Sequence, residues 1–272
     1  MTQKLIALDL DGTTLNNDSQ VSEVTSQAVQ KLTARGHIVS IVTGRSTRLA
    51  LPAYQQLKLT TPMINFNGSL GLIPNHAWSG EYEFPIQRKV ILDLLANREK
   101  LGINIIAAED KKSILSSGPA SQKLFETSCG FFPDQLAPGQ ILNPQTLIHN
   151  PIGLAIDYNQ DKLAQLESYI NDEYGNYIEI AHWGGPLSVL EIKRAGVDKA
   201  YGVKYLAKQF NIDKSNIIAI GDQVNDLPLL SAAGTKVAMK NAVDSVKAIA
   251  DVITPFDNQQ NGVAKYLMET FN

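Results

Sequence analysis

The chain has 272 residues, 44% hydrophobic and 19% charged, enough for two domains and ordinary for a globular protein. Lys and Arg total 24 against 27 Asp and Glu, and the net charge of −3 gives no support to nucleic-acid binding, where a basic excess is usual. A single cysteine, Cys129, excludes an internal disulfide, and no apolar run reaches the roughly 18 residues of a spanning helix. The expectation is a soluble, cytoplasmic protein with neither a nucleic-acid nor a membrane partner.

In chain order, "KLIALDLD" reads as a buried strand, because near-continuous Leu, Ile and Ala is what a parallel sheet covered on both faces requires. After a polar loop, Val21, Val24, Ala28 and Leu32 fall at helical spacing, and Gly36 marks a stop. "HIVSIVTGR" is a second strand ending at Thr43, and "PMINFNG" a third, ending in the Asn67-Gly68 turn signal. Strand, helix, strand in short succession predicts right-handed parallel crossovers.

From Phe84 to Leu187 the pattern changes. A helix around Arg88 to Lys100 precedes "INIIAA" and "SILSS", which look like paired strands. "PIGLAID" and a helix over Gln160 to Asp172 come next, then "YIEIAHW" and "LSVLEIK" around a Gly184-Gly185-Pro186 turn. Hairpins with helices predict an α+β unit, 84–187, inserted into an α/β domain made of 1–83 and 188–272. Beyond Gly196, Val203, Leu206, Ala207 and Phe210 form a helical stripe, "NIIAIGD" is a strand ending at Asp222, and "KVAM" and "DVIT" are two more. The C-terminal ends of parallel strands share one edge, where ligands bind, so Asp9, Thr43, Asn67 and Asp222 are expected there together.

Asp9 and Asp11 are two apart at a strand end, and a straight strand points both to one face. Alone, Asp-x-Asp better suits a polar exit from a strand into a loop. As a pair they can supply a nucleophile toward phosphorus and a general acid that later acts as base. Their repulsion is relieved by a hard divalent cation, for which Mg²⁺ is expected beside a phosphate. "GDQVND" at Gly221 to Asp226 brings more carboxylates to another strand end. There Asp222 is placed as a metal ligand, with Asn225 and Asp226 as ligand, water contact or outer support, although a helix N-cap cluster has the same pattern. Thr43-Gly44-Arg45 offers a hydroxyl and backbone N–H groups to phosphate oxygens, and Asn67 beside Gly68 is a weaker signal. A fixed cation would neutralise a transferring phosphoryl group, but spacing leaves Lys193, Arg194, Lys199 and Lys204 open. The four histidines lack zinc spacing, and dinucleotide and P-loop glycine patterns are absent.

Taken in order, "DLDGT", "TGR", a downstream lysine and "GDQVND" resemble the haloacid dehalogenase superfamily, most closely its Cof-type hydrolases. "FNG", "VDKAYGVKYLAKQF", "VAMKNA" and "NGVAKYL" strengthen the resemblance. It implies a Rossmann-like parallel-sheet core with an inserted α+β cap, and a Mg²⁺-dependent phosphatase acting on small phosphorylated metabolites. It further implies Asp9 as nucleophile and Asp11 as general acid/base, with Asp9, the Asp11 carbonyl and Asp222 on the metal. Thr43, Gly44, Asn225 and Lys199 would hold phosphate, Asn67 would lie near it, and Asp226 would support the metal shell; Arg45, from its place at the same strand end as Thr43, is counted with the phosphate and substrate contacts. The motif departs from many relatives at Thr14, where an aliphatic residue is common. An acid at the Asp11 position points to a phosphatase or a phosphomutase, whose alkoxide leaving group needs a proton. The hairpin tip His182-Trp183-Gly184-Gly185-Pro186 is a candidate substrate contact. A receiver-like phosphate sensor would carry similar residues on a shorter chain, and turnover with Mg²⁺ separates it from an enzyme.

Overall fold

Leu5–Leu8 reads LIAL with all four side chains buried, as a strand walled on both faces demands. In the computed structural model, which describes residues 2–182 and 188–271, it is the central strand β1. Loop residues Leu10–Leu15 come after it, then α1 (Glu23–Ala34), β2 (Ile38–Ile41), α2 (Thr47–Gln56), β3 (Met63–Asn65), β4 (Leu70–Leu72) and β5 (Tyr82–Glu83). α1 starts where the Ser22 side chain accepts the Thr25 N–H. The inserted segment carries α3 (Arg88–Ala96), α4 (Arg98–Leu101), β6 (Ile103–Glu109), β7 (Ile114–Ser116), α5 (Gln122–Thr127), β8 (Gly153–Tyr158), α6 (Leu163–Tyr174), β9 (Ile178–His182) and β10 (Val189–Arg194). The chain then completes the first unit with α7 (Lys199–Gln209), β11 (Ile217–Gly221), α8 (Leu227–Ala232), β12 (Thr235–Ala238), α9 (Asp244–Ile249), β13 (Val252–Ile253) and α10 (Gly262–Thr270).

Contacts divide the chain into one unit of Met1–Tyr82 with Asp198–Asn272 and a second of Glu83–Val197. The first holds a parallel sheet in the order β13-β12-β11-β1-β2. Chain order reverses around β1, with β2 on one side and β11 on the other, the arrangement that opens a crevice at the carboxyl edge. The second unit holds an antiparallel sheet in the order β7-β6-β8-β10-β9. Its core is its own: Ile86, Val90, Leu94, Ile106, Ile156, Leu166 and Ile192 pack into one buried cluster.

The insert extends further than the 84–187 read from the sequence. β10 hydrogen-bonds between β8 and β9, so Val189–Arg194 completes the inserted sheet and the unit closes at Val197. The helix expected over Arg88 to Lys100 is broken at Asn97, whose side chain donates to the Asp93 carbonyl at 3.0 Å. Among the described residues no helix is long and apolar enough to cross a membrane.

Candidate active site

Register brings three strand ends level. Leu8 is opposite Ile220 on one side and Ile41 on the other. The Asp9 N–H donates to the Ile220 carbonyl at 3.1 Å and the Val42 N–H to the Leu8 carbonyl at 2.8 Å, where the ladders end. Asp9, Thr43 and Asp222 therefore leave the sheet side by side.

Charge is densest behind Asp9. Lys199, the first residue of α7, is 1% exposed, and its Nζ donates to Asp9 Oδ1 and to Asp226 Oδ1, both at 2.6 Å. Asp198 caps that helix by accepting the Tyr201 N–H, which fixes where Lys199 begins. Asp226 turns its Oδ2 to the backbone N–H groups of Asp222 and Gln223, at 2.9 and 3.0 Å. Asp222 Oδ1 accepts the Thr13 hydroxyl at 2.8 Å. A Cβ on Gly221 would lie 2.6 Å from the Asp226 side chain, so the glycine makes room for that carboxylate.

Burial dominates the acidities. It raises the Asp9 carboxyl well above the ordinary range, with Asp226 adding repulsion and Lys199 opposing it. It pushes Asp222 up to about 7 against the Thr13 hydrogen bond. For Lys199 burial acts downward, but Asp226 and Asp9 outweigh it and hold the ammonium charged.

Asp11 has a different environment. Beyond the strand the chain turns at Gly12, with φ +70, where any Cβ would collide with the Asp222 carboxylate. Asp11 is thereby carried out of the trio, its side chain 58% exposed, and Arg45 clamps it from both oxygens: Nε to Oδ2 at 2.9 Å and an Nη to Oδ1 at 2.6 Å. The Thr14 hydroxyl donates to the Asp9 carbonyl at 2.6 Å, which gives this departure from an aliphatic residue a polar task. Two asparagines fasten the loop from outside, Asn241 at the Gly12 carbonyl and Asn258 at the Leu15 carbonyl.

Thr43 Oγ1 accepts the Arg45 N–H at 3.1 Å, and the Thr43 carbonyl accepts the Asn67 N–H at 3.0 Å. Asn67 is left-handed at φ 51, a conformation asparagine tolerates, and its Oδ1 accepts Asn225 Nδ2 at 3.2 Å. A Cβ on Gly44 would sit 3.1 Å from the Asn67 amide. All ten residues expected at the site thus lie in the first unit: Asp9, Lys199, Asp226 and Asp222 form one set of contacts, Thr43, Asn67 and Asn225 a second with Gly44 against Asn67, and Arg45 is tied to Asp11. Asn241 and Asn258 were missed. "VAMKNA" marked the first of them only as a matching motif, and nothing local marked the second. His182 ends β9 with Nε2 2.6 Å from Glu167 Oε1, and Trp183 to Pro186 of the same hairpin tip lie outside the described residues.

Oxygen atoms of Asp9, Asp222 and Asp226 fall within 4.8 Å of one another, all three residues being buried. Lys199 supplies one positive charge to three carboxylates, and neither Oδ2 of Asp9 nor Oδ2 of Asp222 has a hydrogen-bond donor among the described residues. Hard oxygen donors with an unbalanced buried negative charge fit a divalent cation.

Comparison with known proteins agrees with this chemistry. The family model for haloacid dehalogenase-like hydrolases matches residues 6–267. The chain is 32% identical over 268 residues to 5-amino-6-(5-phospho-D-ribitylamino)uracil phosphatase YitU of Bacillus subtilis, covering 98% of this chain and 97% of that protein. A second protein of that organism with the same phosphatase name, YcsE, is 26% identical over 267 residues, covering 96% and 93%. Among solved structures, a haloacid dehalogenase-like hydrolase from Bacteroides thetaiotaomicron superposes with a TM-score of 0.83 at 25% identity, covering 99% and 100%.

Proposed function

The chain belongs to the haloacid dehalogenase-like hydrolases and is a phosphatase, and from that premise we propose that it hydrolyses small phosphomonoesters through an aspartyl-phosphate on Asp9, with Mg²⁺ as cofactor. Three buried carboxylates sharing one lysine support this most directly, since a further cation is what lets such a set ionise fully near neutral pH. Asp9, the Asp11 carbonyl and Asp222 would hold Mg²⁺, with Asp226 in support. When bound, the ion supplies Lewis acidity and neutralises charge on phosphate oxygens.

Asp9 attacks phosphorus with Lys199 bound at its Oδ1. A bond to Asp9 forms as the bond to the alkoxide breaks, and Asp11, turned away from Arg45 and protonated, gives its proton to that leaving oxygen. Asp11, now a carboxylate, takes a proton from the water that attacks the aspartyl-phosphate. Inorganic phosphate leaves and the Asp9 carboxylate is restored. Lys199, Thr43, Gly44, Asn67 and Asn225 bind the phosphate oxygens. The inserted unit would select the leaving group.

The names of the two B. subtilis relatives make 5-amino-6-(5-phospho-D-ribitylamino)uracil the first substrate to test. Phosphate release from it and from a panel of sugar phosphates is measured with Mg²⁺ and with chelator, for wild type and Asp9→Asn. Release that needs Mg²⁺ and vanishes in the variant is expected. Equal release by both proteins would remove Asp9 from the mechanism.

A further inference from the structure

The segment "VAMKNA" and the turn before α10 have no part in the reaction above, yet both reach the loop that carries Asp11. Asn241 Nδ2 donates to the Gly12 carbonyl at 2.7 Å across 229 residues of sequence. Asn258 Nδ2 donates to the Leu15 carbonyl at 2.9 Å across 243. The Asn258 N–H donates to Asn241 Oδ1 at 3.3 Å, so the two braces are joined. Asn258 is itself set in a turn where Asp257 Oδ1 accepts the Gln260 N–H at 2.9 Å.

Gly12 is the weak point of that loop. It has no side chain to pack, and a glycine backbone is free to adopt many conformations. Peptide planarity means that fixing the Gly12 carbonyl fixes the whole Gly12–Thr13 unit. On one side of that unit stands Asp11, and on the other Thr13, whose hydroxyl holds Asp222. The Asn241 amide is exposed, so its hydrogen bond does little for the core. Its effect falls on the direction of the loop.

We infer that Asn241, joined to Asn258, is a positioning residue that holds Asp11 where its proton reaches the leaving oxygen. This rests on the reading of Asp11 as general acid. A misplaced acid harms only reactions that need its proton, and this distinguishes positioning from simple structural support. An alkyl phosphate leaves as an alkoxide and needs the proton, whereas 4-nitrophenyl phosphate leaves as a stable phenolate and does not.

The test compares kcat on glycerol phosphate and on 4-nitrophenyl phosphate, at saturating Mg²⁺, for the wild type, Asp11→Asn, Asn241→Leu and Asn241→Asp. The aspartate variant keeps the shape and loses the donor, so it guards against a leucine that disturbs packing. Both Asn241 variants are expected to lose roughly tenfold more on the alkyl ester than on the nitrophenyl ester, a fraction of what a full general acid contributes. Asn258→Leu should shift the ratio the same way. Equal losses on both esters, or none, in the Asn241 variants while Asp11→Asn shows the selective loss would overturn the inference. If Asp11→Asn itself shows no selectivity, the role of Asp11 fails and the inference fails with it.

Discussion

Lys199 brings one positive charge to a place where Asp9, Asp222 and Asp226 bring three carboxylates, and the imbalance has a measurable sign. Asp222 is pushed by burial from an ordinary carboxylate value to about 7, and Asp9 moves the same way. Between the unfolded value and the folded one, the folded protein keeps a proton that the unfolded chain has lost. Their contribution to stability is therefore complete at low pH and is lost as pH rises toward and through about 7. In chelator, Asp222→Asn should then melt above wild type at about pH 8, with the gap closing toward about pH 5. Added Mg²⁺, which binds the charged form, should raise the wild-type midpoint most at the higher pH. A variant that melts lower than wild type at both pH values would contradict this account. Arg45 poses a second question at this scale. The sequence suggested phosphate, but the guanidinium grips both oxygens of Asp11. Lysine cannot reproduce that two-pronged geometry. If Arg45 acts through Asp11, Arg45→Lys should lose part of the roughly 10²- to 10⁴-fold contributed by a general acid, in kcat with KM little changed. A rise in KM at constant kcat would return Arg45 to the substrate phosphate.

Elements explain which parts of this site could be read from the chain alone. "LIAL" and "IIAIG" are continuous apolar runs with one interpretation, buried parallel strands, and their ends mark Asp9 and Asp222. The level register of β1, β2 and β11 is a consequence of backbone pairing, so meeting at one edge was legible from strand order. The path of the chain just beyond β1 was not legible. Alternation along a straight strand places Asp9 and Asp11 on one face, but β1 ends at Leu8 and the chain turns at Gly12, leaving one carboxylate buried and the other exposed. Spacing could not choose Lys199 over Lys193, Arg194 or Lys204, since that choice depends on where α7 begins. The Asp198 cap and the approach of the Gly68 backbone set that point, for a Cβ on Gly68 would collide with the Asp198 carbonyl. Asn241 and Asn258 were illegible for the same reason: a contact spanning more than 200 residues leaves no local pattern.

At the scale of the whole molecule, chemistry and insertion are separated along the chain. Every candidate catalytic and phosphate-binding residue belongs to Met1–Tyr82 with Asp198–Asn272, whereas Glu83–Val197 contributes an antiparallel sheet with its own core. A run of roughly 115 residues is within the range in which one hydrophobic core sustains a domain. The buried clusters around Ile106, Ile156 and Leu166, and around Phe132 and Val189, draw only on residues of that run. All five of its strands also find their partners inside it. Among the described residues no long-range element of its sheet or core is supplied from elsewhere, so the fragment 83–197 expressed alone should fold. It should show mixed helix and strand by circular dichroism and a single cooperative thermal transition. A broad, non-cooperative melt would mean that the insert depends on the first unit for its fold, and the division into independent parts would have to be given up. Because the fragment lacks Asp9, Asp11, Lys199 and Asp222, it should release no phosphate from any ester even when fully folded, and release by the folded fragment would take turnover out of the first unit.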